Sequence, residues 1–296
     1  MKFGIVGNLE KERLPFVVGE LLKRVHLGSV EFLMADTLAK AVKSGLKKEI
    51  AGRAKIVPEK KVLMDSDMII ALGGDGTILR TARFVGIHEK PILGINLGKL
   101  GFLAEVSLDE LEECFVDIVA GRYIVEERMM LQAKATGLPP TFVALNDIVI
   151  DKYGTSRVMN IETYVNKDYL ATYAADGIIV STPTGSTAYS LANGGPIVTP
   201  DCRAMTIGPI CPHTLTARPV IVPEDSAITV KIAAAANNVH VTADGQLEKL
   251  FDVPLSITIS KAPFRARLVR RPNTNYYDIL RKKLNWGSDV RIKPKS

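Results

Sequence analysis

Apolar positions in the first hundred residues follow two alternating periods. Residues 2–7 form one extended apolar run, and residues 16–25 place Val17, Leu21, Leu22 and Val25 at helical spacing. A second apolar run covers 30–34 and a helical pattern covers 36–50, with Gly52 and Pro58 punctuating the stretch after it. Residues 67–72 read as a short strand that leads at once into Gly73-Gly74; 77–85 read as helix and 91–95 as strand. Strand, glycine turn, helix, strand predicts an α/β domain with a mostly parallel sheet. After about residue 122 the pattern changes. The runs 141–150, 158–165, 177–181, 227–232, 239–243 and 255–260 are β-like, several with period-two alternation, and predict a β-rich second domain. Residues 264–269 alternate like another strand, Arg271-Pro272-Asn273 breaks it, and Tyr276, Leu280 and Leu284 mark a short helix. The division this predicts is 1–122, 123–262, and a segment 263–296 that returns to the first domain.

Composition narrows the picture. A chain of 296 residues, 47% hydrophobic and 24% charged, has room for two cores. No apolar run reaches the roughly 18 residues of a membrane helix, and the first residues lack the pattern of a signal peptide. Cys114, Cys202 and Cys211 are too scattered for a disulfide framework or a C-x-x-C metal site, so a cytoplasmic location is expected. The net charge of +6 is concentrated at one end: residues 261–296 hold 11 Lys or Arg against 2 Asp or Glu. No zinc-finger, RNP or helix-turn-helix pattern accompanies it, so the basic tail reads as a solvated surface or an attractor of polyanionic phosphate, and neither nucleic acid nor membrane is expected as a partner.

The candidate chemistry sits where strand turns to helix. Gly73-Gly74-Asp75-Gly76-Thr77 occupies the place where α/β sheets hold phosphate: glycines admit close backbone approach and amides at the helix start point at the anion. The turn matches neither common phosphate loop. The nearest approach to a Walker A motif, 94–100, is one residue short and ends in Leu, and Leu79 stands where the dinucleotide fingerprint needs its third glycine. The turn carries an aspartate instead. A carboxylate repels phosphate unless it has a task, and two fit: accepting the proton of an attacking hydroxyl, or helping to hold Mg²⁺. A plain Asp-Gly turn would look the same.

Six blocks in chain order add a resemblance. The glycine turn is followed by Asn96-x-Gly98-x-Leu100-Gly101-Phe102-Leu103, then Asn146-Asp147, then Asp176-Gly177 leading into Ser181-Thr182-Pro183-Thr184-Gly185-Ser186-Thr187-Ala188-Tyr189 and Gly194-Gly195-Pro196. Cys211-Pro212-His213-Thr214-Leu215 with Arg218-Pro219, and finally Asp244-Gly245-Gln246, complete the series. Over residues 67 to 246 this pattern is similar to that of the NAD kinases. The resemblance implies a Rossmann-like N-terminal domain, a sandwich-like β-rich C-terminal domain, and a dinucleotide in the cleft between them, in a homodimer or homotetramer. It implies phosphoryl transfer from ATP or polyphosphate, with Mg²⁺ or another divalent cation, to the adenosine ribose 2′-hydroxyl of NAD. Asp75 would be catalytic, as base or as metal organiser; Gly73, Gly74 and Gly76 would bind phosphate. Thr77, Phe102, Asn146, Asp147, Asp176, Thr184, Thr187, Ala188, Tyr189, His213 and Gln246 would contact the substrate.

The residues themselves leave plainer readings beside these. Asn146-Asp147 and Asp176-Gly177 can be turns, the hydroxyl-rich loop can cap a helix starting near Ala188, and Arg218 can be structural. Two departures from the family pattern stand out. Ala192-Asn193 replaces the Ser-Ala of many members, removing a hydroxyl contact to adenine. Ala174 is small where some members carry Arg, and members with a small residue there discriminate less between NAD and NADH; weak NADH kinase activity is therefore an expectation. Three other functions compete: a kinase of another acceptor sharing the glycine turn, which would lack the 181–189 block; a non-catalytic dinucleotide-binding regulator, which would have no need of Asp75; and a basic nucleic-acid binder.

Overall fold

A computed structural model describes residues 1–25, 30–43, 52–98, 101–104, 106–138, 142–154, 158–233, 238–272 and 275–286. The helical reading beyond Lys43, Leu100, Thr141, Asn273 and the chain after Trp286 lie outside these residues. The chain divides into two compact units: Met1–Glu126 joined by the chain from Arg267 onward, and Glu127–Ala266.

In the first unit, β1 (Lys2–Gly7), α1 (Leu14–Arg24), β2 (Glu31–Ala35), α2 (Asp36–Val42), β3 (Ala54–Val57), α3 (Glu59–Asp65), β4 (Met68–Leu72), α4 (Asp75–Val85) and β5 (Pro91–Ile95) alternate, with β3 and α3 in the stretch to which the apolar pattern assigned no element. The strands are parallel in the order β3-β2-β1-β4-β5. All five residues of β4 are buried, the mark of a strand covered on both faces. Phe3, Ile5, Phe32, Met34, Met68, Ile70 and Leu72 pack on one face with Val17, Leu21 and Leu22 of α1 and with Phe115 of α5 (Leu111–Val119). On the other face Gly94 lies so close to Ile78 of α4 that a Cβ would meet the Ile78 methyl at 2.5 Å. The strand order reverses between β1 and β4, and the glycine turn leaves β4 at that switch point, on the carboxyl edge of the sheet.

Helix α5 was not evident from apolar period. Its start is written in polar residues: Ser107 and Glu110 form a reciprocal capping box ahead of it.

The second unit is mostly strand among the described residues. Strands β6 (Ile124–Ala135), β7 (Phe142–Ala144), β8 (Asp147–Lys152), β9 (Met159–Val165), β10 (Asp168–Ala175) and β11 (Gly177–Ser181) precede a 3-10 turn, Thr184–Thr187, and the short α6 (Tyr189–Ala192). Strands β12 (Ala204–Ile210), β13 (Val220–Pro223), β14 (Ile228–Ile232), β15 (Val239–Ala243), β16 (Leu247–Phe251) and β17 (Leu255–Arg270) come next; the end of β17 and α7 (Tyr276–Leu284) belong to the first unit. One antiparallel sheet runs β13-β12-β11-β8-β15-β16; β10, β9, β14 and the first part of β17 form another, with β6 and β7 alongside. Alternate residues of both sheets, among them Leu131, Ile148, Ile150, Ile161, Ile178, Val180, Val230, Val241 and Ile257, share one core, giving a sandwich.

Two strand readings are corrected. Residues 141–150 are not one strand: β7 and β8 are separated at Leu145-Asn146, whose backbone is drawn off to the side chains of Asp244 and Thr182. The alternating runs 255–260 and 264–269 are instead one strand, β17, whose last residues Arg267 and Leu268 pair in parallel with Pro91 and Ile92 of β5.

Candidate functional site

The expected site residues fall into two groups, one in each unit. In the first unit, the glycine turn is anchored by Gly73, whose N–H donates to Ile95 O at 3.0 Å. A Cβ on Gly73 would overlap the Thr77 hydroxyl, so glycine is required there by packing. Gly74 is different. Its backbone is extended and a Cβ would meet nothing within 4 Å, so neither strain nor crowding demands glycine, and the space beside it is open for a ligand.

Asp75 begins α4 with its side chain turned to the loop after β5. Its Oδ2 accepts from Phe102 N at 2.8 Å; its Oδ1 accepts from Leu103 N at 3.0 Å and Ala104 N at 3.4 Å. The same loop is shaped by Asn96, whose Oδ1 accepts from Gly98 N at 2.9 Å, and by Gly101, where a Cβ would collide with the Asp75 carboxylate. A carboxylate offers roughly four acceptor sites, so about one remains open at Asp75. Phe102 is thus held through its backbone, while its ring lies 5.9 Å from the Lys283 ammonium of α7.

In the second unit, the gap between β7 and β8 is built around Asp244. The Asp-Gly pair 244–245 has φ of 54° and 60°, and Gln246 N donates to Ala243 O: a tight hairpin turn between β15 and β16 of the kind that favours Asp-Gly. This presents the Asp244 carboxylate to the amides of Leu145 at 3.2 Å, Asn146 at 2.7 Å and Asp147 at 3.4 Å. The carbonyls of Leu145 and Asn146 serve the hydroxyl-rich loop. Thr182 Oγ1 donates to Leu145 O at 2.6 Å and accepts from Gly185 N at 3.0 Å, Thr182 N donates to Asn146 O at 2.8 Å, and Gly185 crosses Asn146 O with no room for a Cβ. Ser186 Oγ donates to Pro183 O and accepts from Val198 N at 3.0 Å. The loop is therefore a folded structural unit as well as a candidate binding element.

Asp147 is the least ordinary member. It is 4% exposed, its carboxylate has no hydrogen-bond partner among the described residues, and burial, followed by the charge of Asp244, pushes its pKa up to about 7. A buried carboxylate left in that condition is ready for a donor that the protein does not supply. Asp176 is not in a turn: it links β10 directly to β11, is paired to Lys152 Nζ at 2.7 Å, and is followed by a glycine that the Ile150 carbonyl requires for close approach.

The other expected residues take varied positions. Thr184 is buried, with Arg128 Nη1 3.4 Å from its hydroxyl, and Thr187 Oγ1 donates to Thr184 O. Ala188 joins the 3-10 turn to α6. Tyr189 is 46% exposed, and its phenol is raised in pKa by desolvation and by nearby negative charge, that of Asp151 and Asp147 included. His213 is exposed; its amide is fixed by Ala174 O at 2.8 Å and its imidazole has no partner among the described residues. Gln246 is exposed on the hairpin. Arg218 resolves to a structural task, donating to Leu215 O and Ala217 O. Sequence reasoning did not single out Thr182, Lys152, Arg128 or the anchoring role of Asp244. Only Asp244 had a local signal, its hairpin turn.

Family models match over both units of the chain. The family described as the ATP-NAD kinase N-terminal domain matches residues 3–123, and the ATP-NAD kinase C-terminal domain matches 145–271. The NAD kinase of Geobacter sulfurreducens is 40% identical over 289 residues, 97% of this chain and 99% of that one. The NAD kinase of Bacteroides fragilis is 39% identical over 294 residues, 99% of this chain and 100% of that one. Among solved structures, yeast NADH kinase complexed with NADH has a TM-score of 0.88 at 27% identity, covering 99% of this chain and 90% of that chain. An NAD kinase from Archaeoglobus fulgidus in complex with ATP has a TM-score of 0.71 at 26% identity, covering 96% and 99%.

Proposed function

This chain belongs to the NAD kinase family, and on that premise we propose that it transfers a phosphoryl group from ATP to the 2′-hydroxyl of the adenosine ribose of NAD, with Asp75 receiving that hydroxyl. One observation carries the assignment to Asp75: the carboxylate at the centre of the glycine turn is held by three backbone amides and keeps about one acceptor site open. A hydroxyl that donates to this site is oriented with its own lone pairs free. As its oxygen bonds to phosphorus and the bond to the leaving ADP breaks, its proton passes to Asp75 and then to solvent. Fixing the carboxylate in advance removes reorganisation from the step, and the amides at the start of α4, beside the open side of Gly74, favour phosphate charge.

Magnesium, bound with the donor, would neutralise phosphate charge. No group of three or more His, Cys, Asp or Glu converges among the described residues. The open acceptor site of Asp75 would hold either the hydroxyl or the cation, so metal organiser is the alternative to base for this carboxylate, with phosphates and water supplying the rest of the cation's shell.

Asn146, Asp147, Asp176, Thr184, Thr187, Ala188, Tyr189, His213 and Gln246 form the proposed dinucleotide contacts. Asn146 offers an amide to the adenine edge and Asp147 an unpartnered carboxylate to ribose hydroxyls; Tyr189 supplies a flat, half-exposed ring and His213 a free imidazole. Ala174 leaves the space beside His213 N unfilled by a long side chain, and with the likeness to yeast NADH kinase this supports a lesser activity on NADH. Polyphosphate as an alternative donor, a homodimer or homotetramer, and a cytoplasmic location complete the proposal.

The test is incubation of the purified protein with NAD, MgCl₂ and ATP, with NADP detected by a strictly NADP-specific dehydrogenase. Wild type should form NADP, and Asp75→Asn should lose about 10²–10⁴ in kcat while retaining NAD binding. An Asp75→Asn protein that keeps its rate would sink the assigned role; no NADP from a wild type that binds NAD would sink the kinase reading.

A further inference from the structure

The cations of the basic C-terminal segment are mostly taken up by acids. Lys261 and Arg265 meet Glu224, Arg270 meets Glu126, Arg271 meets Glu110 and Glu113, and Arg281 meets Asp278. Lys283 differs. No acidic side chain pairs with it among the described residues, and it is partly buried where its neighbours Arg281 and Lys282 are exposed. Its ammonium lies 5.9 Å from the centre of the Phe102 ring, within the range over which a cation is drawn to an aromatic face.

The two partners are held unequally. α7 is a fixed element: Asn275 accepts from Tyr277 N at its start, Ile279 and Leu280 are buried, and Asn285, in the left-handed region at φ 54°, closes its end. Lys283 stands in its last turn, where a helix favours a cation. Phe102 has no such frame. It lies outside regular structure in the loop after β5, and its N–H donates to Asp75 Oδ2 at 2.8 Å. That bond fixes the backbone and leaves the ring free to turn about its side-chain bonds. The ring is only partly buried, so close packing does not lock its rotamer. The charge of Lys282, one residue earlier, reaches Glu110, so the end of α7 faces both ends of the stretch 102–110.

We infer that Lys283 is a positioning residue: it holds the Phe102 ring in one orientation, so that the residue whose amide grips Asp75 also presents a fixed ring face to the substrate. The inference rests on the reading that Phe102 contacts the dinucleotide and deepens it, because it makes the C-terminal helix part of dinucleotide binding. Its consequence is separable from catalysis. Asp75 is held by backbone amides that do not depend on the ring, so loss of Lys283 lowers substrate affinity and leaves the transfer step alone.

Five variants of the full chain test it. Lys283→Met keeps the apolar stem without the charge, and Lys283→Arg keeps the charge. Phe102→Leu retains the amide and removes the ring, alone and together with Lys283→Met. Lys282→Met controls for net charge. KM and kcat for NAD are measured by NADP formation, NADP affinity by calorimetry, and the thermal midpoint by circular dichroism. Lys283→Met should raise KM for NAD and weaken NADP by about two- to fivefold, with kcat within about twofold and the thermal midpoint unchanged. Lys283→Arg should restore both affinities, and Lys282→Met should change neither. With Phe102→Leu already in place, Lys283→Met should have no further effect. A full effect of Lys283→Met in that background, an equal effect of Lys282→Met, or no change in KM and NADP affinity would overturn the assignment: the ammonium would then act as diffuse charge or not at all. A loss in kcat alone would overturn it too. A wild type whose NADP affinity shows this coupling but which forms no NADP would keep the anchor and discard the kinase reading. One that binds neither NAD nor NADP would overturn both.

Discussion

Replacing Asp147 with Asn should make the protein more stable, by an amount set by pH. The carboxyl of Asp147 is raised from 3.8 to about 7 by burial and by Asp244, and it receives no compensating hydrogen bond among the described residues. In the unfolded chain the group gives up its proton near pH 4; in the folded chain it holds it until about pH 7. Between those values the native state binds more protons, so stability falls as pH rises, and above about pH 7 the full cost of a buried charge is present and constant. A shift of about three units at roughly 1.4 kcal/mol each sets that cost at up to about 4 kcal/mol, of which about 2 develops between pH 5 and pH 7. Asn is close in shape and cannot ionise. Urea unfolding followed by the signal of the β-rich unit should show Asp147→Asn ahead of wild type by a small margin at pH 5 and by a few kcal/mol at pH 8. A gain that is the same at both values, or a loss at pH 8, would refute the argument. Binding should move the other way. With a charged acceptor removed, NAD affinity should drop by roughly 10–100-fold at pH 8, the usual worth of a hydrogen bond to a charged group. Together the two results would mark Asp147 as a group kept at a stability cost for its ligand.

Gly74→Ala should leave the thermal midpoint within about 1–2 °C, since its Cβ meets nothing, yet lower kcat/KM for NADP formation by at least about tenfold; Gly73→Ala, which crowds Thr77, should cost both stability and rate. Gly101→Ala should dislodge the amides that hold Asp75 and cost about 10² in kcat, with KM for NAD little changed. Thr182→Val should destabilise the β-rich unit by about 1–3 kcal/mol in denaturant unfolding, because Leu145 O and Gly185 N lose their shared buried hydroxyl. Ala174→Arg should reduce turnover of NADH relative to NAD, measured as the ratio of initial rates with the two substrates.

The α/β unit was legible because its elements are local: buried parallel strands read as apolar runs, and α4 followed directly from the glycine turn. What escaped had no local mark or a different one. β6 carries Glu126, Glu127 and Arg128 in its first half, a charged stretch that hides its apolar residues until Met129. α5 showed its cap rather than its period. The gap between β7 and β8 depends on Asp244, nearly a hundred residues later, and no window on 141–150 contains it. The site blocks were visible as motifs, and the glycine turn had a physical reason of its own. The support under them was not: that Asp75 is gripped by the loop at 102–104, or that Thr182 joins Leu145 to Gly185, requires contacts that sequence spacing does not encode.

Strand β17 carries a consequence for the order in which the chain is made. The first unit is assembled from both ends of the sequence, since β5 finds its last neighbour only at Arg267 and Leu268. A growing chain that has delivered β1 to β5 must then wait while Glu127–Ala266 is synthesised, roughly 7–28 s at 5–20 residues per second. During that interval the β5 side of the sheet is an open edge with unpaired backbone groups, the kind of surface on which nascent strands aggregate. The β-rich unit, continuous in sequence, has no such wait. The later-made half of this protein can therefore be complete while the half that begins it is still unfinished, and a chain released before residue 267 lacks the strand that closes its own beginning.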